Sequence, residues 1–211
     1  MNEILGKGSI MGLNHPKNFV ESLYKLSNQG SNSCYNHYKL LLERGLSFKV
    51  NYEQLTEFGT EHKARNYKLG YCYYNAYHLA RASCGRIRYT EGFAALMDMP
   101  VCVPHAWGTD QEGNVLDPTW KMLMEAERSK VDADTCAAVY FGVPLSLQSV
   151  QRFYEWYRQN FKKSIYCIFV DNPFFGWYLR SQKISFSEFC DGTKDQQDSL
   201  ESYNQVQTYL D

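Results

Sequence analysis

At 211 residues the chain has room for one domain with a sizeable core, or for one domain and a tail, and not for two full domains. With 22 Lys and Arg against 23 Asp and Glu, a formal charge of −1 excludes the basic footprint of a nucleic-acid binder or of a protein held on an acidic membrane. Seven cysteines, an odd number without CxxC spacing or paired histidines, fit neither a disulfide framework nor a zinc site, so no metal is expected and the compartment reads as reducing.

The N-terminus lacks the basic start and apolar run of a secretory signal, and no later stretch is apolar for 18 residues, so a soluble cytoplasmic protein is expected. Residues 1–13 read as an extended lead-in. Asn14 followed by Pro16 resembles a helix cap and first turn, and Phe19, Leu23 and Leu26 recur at helical spacing to about Ser27. A second helix runs from about Ser33 to Arg44, with Tyr38, Leu41 and Leu42 inward and Gly45 at its end. Residues 1–69 thus form a mainly helical N-terminal part, within which Phe48 to Val50 is a short strand candidate and Glu53 to Gly59 a helical turn.

The clearest helix opens at Cys72 in CYYNAYHLARAS and stops at Gly85. Cys72, Ala76, Leu79, Ala80 and Ser83 fall on one stripe of small and apolar residues that lets a helix lie close to a sheet. A cysteine in the first turn sits among unpaired backbone N–H groups at the positive end of the dipole, and both favour the thiolate. The other six cysteines read as small buried hydrophobes. Ile87 to Met97 follows as a strand with Gly92 at its middle, a bulge or a close backbone approach, and with Glu91 either facing a cleft or lying at an edge.

In VCVPHAWGTDQEGNVLDPTW, residues 101–120, Val101, Val103, His105 and Trp107 alternate with Cys102, Pro104 and Ala106, the period of a two-faced strand. Gln111-Glu112-Gly113 fits a three-residue hairpin loop with Gly113 in the left-handed region, and Val115 to Asp117 is the return strand, ended by Pro118. An odd loop places His105 and Asp117 on one face as direct or diagonal neighbours, close enough for a carboxylate to hold the imidazole. Residues 121–135 are amphipathic and charged, and Ala137 to Val143 reads as a strand. Ser146 caps a helix to about Lys163, Ile165 to Val170 is a short buried strand, and Asn172-Pro173 turns the chain into the aromatic run FFGWYL. From Ser185 the chain carries six acidic residues and only Lys194 as a base, which reads as a polar tail, mobile or helical at Leu200 to Leu210.

Cys72 opening a helix, then HAW at 105–107 and DPTW at 117–120 on successive strands, resembles the core of the transglutaminase-like family of papain-like folds, over about residues 70–120. The resemblance implies an α+β fold in which the Cys72 helix packs on an antiparallel sheet with flanking helices, forming one catalytic domain over 1–184 ahead of a tail at 185–211. It also implies Cys72 as nucleophile, His105 as base and Asp117 as the residue that orients it, acting on a protein, peptide or small amide substrate without a cofactor. Family members usually carry a tryptophan beside the nucleophile, where this chain has Tyr71 and Tyr73. The oxyanion donor is then the Cys72 N–H, with Asn66 or a tyrosine hydroxyl as alternatives, and Tyr71, Tyr73, Glu91, Trp107 and Asn66 are the expected substrate contacts. Peptidase, amidase and transglutaminase activities all fit the triad, and a non-catalytic peptide-binding module on the same scaffold is the alternative from another class. No Gly-rich phosphate loop supports a nucleotide enzyme.

Overall fold

Alternating side chains in β2 (Arg88–Leu96) and β3 (Val103–Thr109) build the middle of a five-stranded antiparallel sheet. In the computed structural model, which describes residues 15–29, 37–49, 67–96, 102–120, 122, 138–163, 167–170 and 172–192, the other strands are β1 (Leu46–Lys49), β4 (Val115–Leu116) and β5 (Ala138–Leu145). Their spatial order is β1-β5-β2-β3-β4, so β5 lies between β1 and β2. The helices are α1 (Pro16–Gln29), α2 (His37–Arg44), α3 (Cys72–Ala82), α4 (Leu147–Phe161), α5 (Phe175–Gln182) and α6 (Phe186–Asp191), making the chain α+β. Readings for residues 1–14, 50–66 (the 53–59 turn), 123–135 and the 200–210 helix lie outside the described residues.

Period 2 gives the sheet two different faces. On one face Tyr89, Phe93, Ala106, Phe141, Val143 and Leu145 join Ala76 and Ala80 of α3, Val150 and Phe153 of α4 and Val20 of α1 in the main core. On the other, Phe48, Ala94, Trp107, Val115 and Tyr140 form a second core with Trp120. Glycine makes the centre of the sheet possible. A Cβ on Gly92 would stand 2.2 Å from the Phe141 carbonyl oxygen, and one on Gly142 would stand 2.6 Å from the Trp107 ring. Gly92 is thus a close backbone approach, and the unbroken register with β3 and β5 shows no bulge there.

Several expectations change at element ends. His15 caps α1, its Nδ1 accepting the Lys17 amide at 3.2 Å, and Leu26 is exposed because the inward stripe runs through Val20 instead. Residues 167–170 are not a strand, since three of their amides bind a side chain rather than a ladder. Residues 185–192 do not belong to a tail. Ser185 and Glu188 form a reciprocal capping box, and Phe186, Phe189 and Cys190 at helical spacing bury α6 against the core, extending the folded unit to Gly192. No helix among the described residues is long and apolar enough to cross a membrane.

Candidate active site

The β3–β4 hairpin closes on the three-residue loop 111–113, with Gly113 at φ 84° and its amide donating to the Asp110 carbonyl. The Asp110 carboxylate accepts the Asn114 amide at 2.7 Å and its side-chain NH₂ at 2.8 Å, so the loop is locked at its base. Gly108 pairs with Leu116 and Thr109 with Val115. One step further, this register sets Asp117 across from Trp107, which makes His105 its diagonal neighbour on the same face. The contact is made: His105 Nε2 and Asp117 Oδ2 are 2.5 Å apart, both side chains almost wholly buried.

Asp117 does more than end a strand. It caps a helical turn at 118–120, with Pro118 in the first position, where the missing N–H costs nothing. Its Oδ1 accepts the Thr119 and Trp120 amides at 3.0 Å each. Oδ2 takes the imidazole and also the Tyr140 hydroxyl, which donates from β5 at 3.0 Å. Four donors therefore fix one carboxylate.

Around the imidazole, Trp107 stacks at 6.2 Å, while Trp120 stands edge-on at 5.6 Å and Tyr140 tilts at 6.1 Å. Burial alone pulls the His105 pKa down, but the charge of Asp117 and its hydrogen bond, with a smaller contribution from Cys72, outweigh that and raise it to about 10. The pair therefore favours the charged form of the imidazole. Nε2 is engaged by Asp117, which leaves Nδ1 as the remaining ring nitrogen, and Cys72 lies close enough to the ring to raise its pKa.

Cys72 is the first residue of α3, half-buried and free. The Tyr71 side chain makes no capping hydrogen bond to the first-turn amides of α3. Buried Asn75 sets the position of this turn. It accepts the Lys68 amide at 3.0 Å, donates to the Lys68 carbonyl at 2.8 Å, and donates to Thr119 Oγ1 at 2.8 Å, tying the start of α3 to the turn that Asp117 caps. Outside it lies an exposed lip. Tyr71 is 50% and Leu69 54% exposed, and the Lys68 ammonium lies 5.7 and 5.5 Å from the Tyr71 and Tyr74 rings.

Of the expected substrate contacts, only Tyr71 lies on that lip. Glu91 is fully buried on the opposite sheet face, where Oε1 accepts the Tyr89 hydroxyl and the Ile168 amide and Oε2 the Phe169 and Val170 amides. Burial pushes its pKa up to about 7 against the pull of those donors, and no surface remains for substrate. Trp107 is fully buried under the imidazole and has no cleft-facing surface. The Tyr73 hydroxyl is desolvated beside Glu91 and Cys167, which raises its pKa, and it does not line the lip. Asn66 lies outside the described residues. Cys102 and Cys190 are buried thiols with raised pKa values, that of Cys190 reaching about 12, and Cys84 is exposed at a helix end.

Sequence reading missed Asn75, Trp120 and Tyr140. Asp-Pro in DPTW carries the signal for a helix cap, which brings Trp120 back to the site; Tyr140 depends on a strand pairing with no local signature. Among the described residues no group of three or more His, Cys, Asp or Glu side chains is placed to hold a metal ion. Set beside protein-family models, curated proteins and solved structures, the chain matches none of them.

Proposed function

We propose that this chain is a cysteine-dependent acyl-transfer enzyme of the transglutaminase-like, papain-like type, cleaving or transferring an amide or peptide bond through Cys72, His105 and Asp117. The observation that carries this reading is the buried 2.5 Å contact between His105 Nε2 and Asp117 Oδ2, with Cys72 close enough to the ring to perturb its titration. A hairpin histidine with a surface role would have no need of a four-bonded carboxylate behind it.

The chemistry follows from the order of the three groups. His105 draws the proton from Cys72, and the thiolate so formed attacks the acyl carbon. The oxyanion that forms is met by the Cys72 N–H in the first turn of α3, helped by the positive end of the dipole. His105 then gives its proton to the departing amine, and the thioester remains on Cys72. Water or a second amine, deprotonated by the now neutral His105, attacks the thioester and releases Cys72. Asp117 holds the ring tautomer throughout and stabilises its charged form.

Peptide mapping after brief iodoacetamide treatment at about pH 6 tests this, since ordinary thiols with a pKa of about 8.5 are protonated there. Cys72 should label at least about tenfold faster than the other cysteines, and His105→Ala should remove the advantage. Equal labelling of all seven cysteines in both proteins would leave a binding module as the better reading. Intact-mass detection of an acyl group on Cys72 after incubation with a cell lysate would name the substrate class.

A further inference from the structure

Tyr140 stands on β5 between Ala94 of β2 and Phe48 of β1, fully buried, its ring 4.9 Å from that of Trp107. These surroundings are those of a phenylalanine. A hydroxyl placed among them is a desolvated polar group, which is costly unless it is bonded. Its partner is Asp117 Oδ2, the same oxygen that His105 approaches, and the second carboxylate oxygen is already occupied by two backbone amides. Tyr140 and His105 therefore draw on the same oxygen's electron density. A donor that shares this oxygen weakens the pull of the carboxylate on the imidazolium, and an imidazolium held too tightly cannot protonate a leaving amine.

Resting on the triad reading above, we propose that Tyr140 is a positioning residue of the triad: its hydroxyl fixes the Asp117 carboxylate and limits its hold on His105, keeping the imidazolium acidic enough to release its proton. Among the described residues, the titratable groups facing His105 are Asp117 after β4, Cys72 from α3 and Tyr140 from β5. The facing positions on β2 and β1 are Gly92, Ala94 and Phe48, none of which titrates.

The test follows the His105 ring signals by NMR against pH in the full chain, comparing the native protein with Tyr140→Phe and with 3-fluorotyrosine at position 140. Loss of the hydroxyl should move the His105 midpoint up by about half a pH unit or more, and the more acidic fluorophenol, a stronger donor, should move it down. The two shifts of opposite sign separate tuning from structural support. If Tyr140→Phe does not fold, the fluorotyrosine protein, which keeps ring and hydroxyl, decides by its downward shift alone. A raised midpoint that is the same in all folded forms would overturn the role of Tyr140 and leave the triad standing. Equal alkylation of all seven cysteines at about pH 6, unchanged by His105→Ala, would overturn the triad, and this inference with it.

Discussion

The two faces of the sheet each bury one carboxylate, and each carboxylate receives four hydrogen bonds, one of them from a tyrosine. Asp117 is held by Tyr140, two backbone amides and His105, while Glu91 is held by Tyr89 and three backbone amides. Only the fourth donor differs. Asp117 faces a base that can carry charge, and the pair raises the imidazole pKa; Glu91 faces only fixed dipoles, and burial raises its own. One residue type separates a titratable ion pair from a clamp that ties residues 168–170 to β2.

The sharpest way to break this comparison is to remove the charge from each carboxylate. An asparagine at 117 turns an NH₂ toward Nε2, which selects the wrong ring tautomer. Asp117→Asn should therefore cost roughly 10³ to 10⁴ in turnover of an amide substrate, whereas Glu91→Gln should cost less than about tenfold. Steady-state rates on the same donor decide it, and equal losses would make Glu91 as functional as Asp117.

A smaller effect separates the faces by pH. Both Glu91 and His105 hold protons more tightly folded than unfolded, so each contributes stability at low pH and loses it as pH rises. The Glu91 contribution is full below its ordinary 4.5 and gone above about 7; that of His105 is full below 6.5 and gone above about 10. Stability from urea titrations should fall in two steps, on the order of 3 kcal/mol for Glu91 and about 5 kcal/mol for His105. Glu91→Gln should remove the lower step and His105→Phe the upper, whereas stability that climbs from pH 5 to 7 would contradict the Glu91 assignment.

The smallest effect sharpens the role of the aromatic wall. Among the described residues the buried indole N–H of Trp107 has no hydrogen-bond partner, and the ring meets His105 by its face. Trp107→Phe should destabilise by less than about 1.5 kcal/mol, because it deletes an unsatisfied donor along with some volume. A loss above about 3 kcal/mol by thermal melting would show that the N–H is bonded, through water or otherwise.

What could be read from the sequence was what local rules decide. Loop parity set His105 and Asp117 on one face, and first-turn placement singled out Cys72. Period 2 also showed that Glu91 and His105 lie on strands with two faces, but not which residues of β2 share the face of His105, since that requires the pairing of Gly92 with His105. Ile165 to Val170 looked like a strand because it is apolar, and a carboxylate from β2 claimed its amides instead. Ser185 and Glu188 carried a legible capping box that the acidic composition around them obscured.

The strand order β1-β5-β2-β3-β4 also sets a sequence of events in time. His105 and Asp117 lie 12 residues apart and meet through a three-residue loop, so their contact closes with little loss of chain entropy. Tyr140 and Asp117 lie 23 apart, and they meet only when β5 has paired with β2, whose residues come far earlier in the chain. During synthesis or refolding the imidazole and carboxylate are thus brought together by a local hairpin, while the phenol arrives with the last strand to be inserted. The completed sheet, rather than the hairpin, delivers the finished acid–base pair.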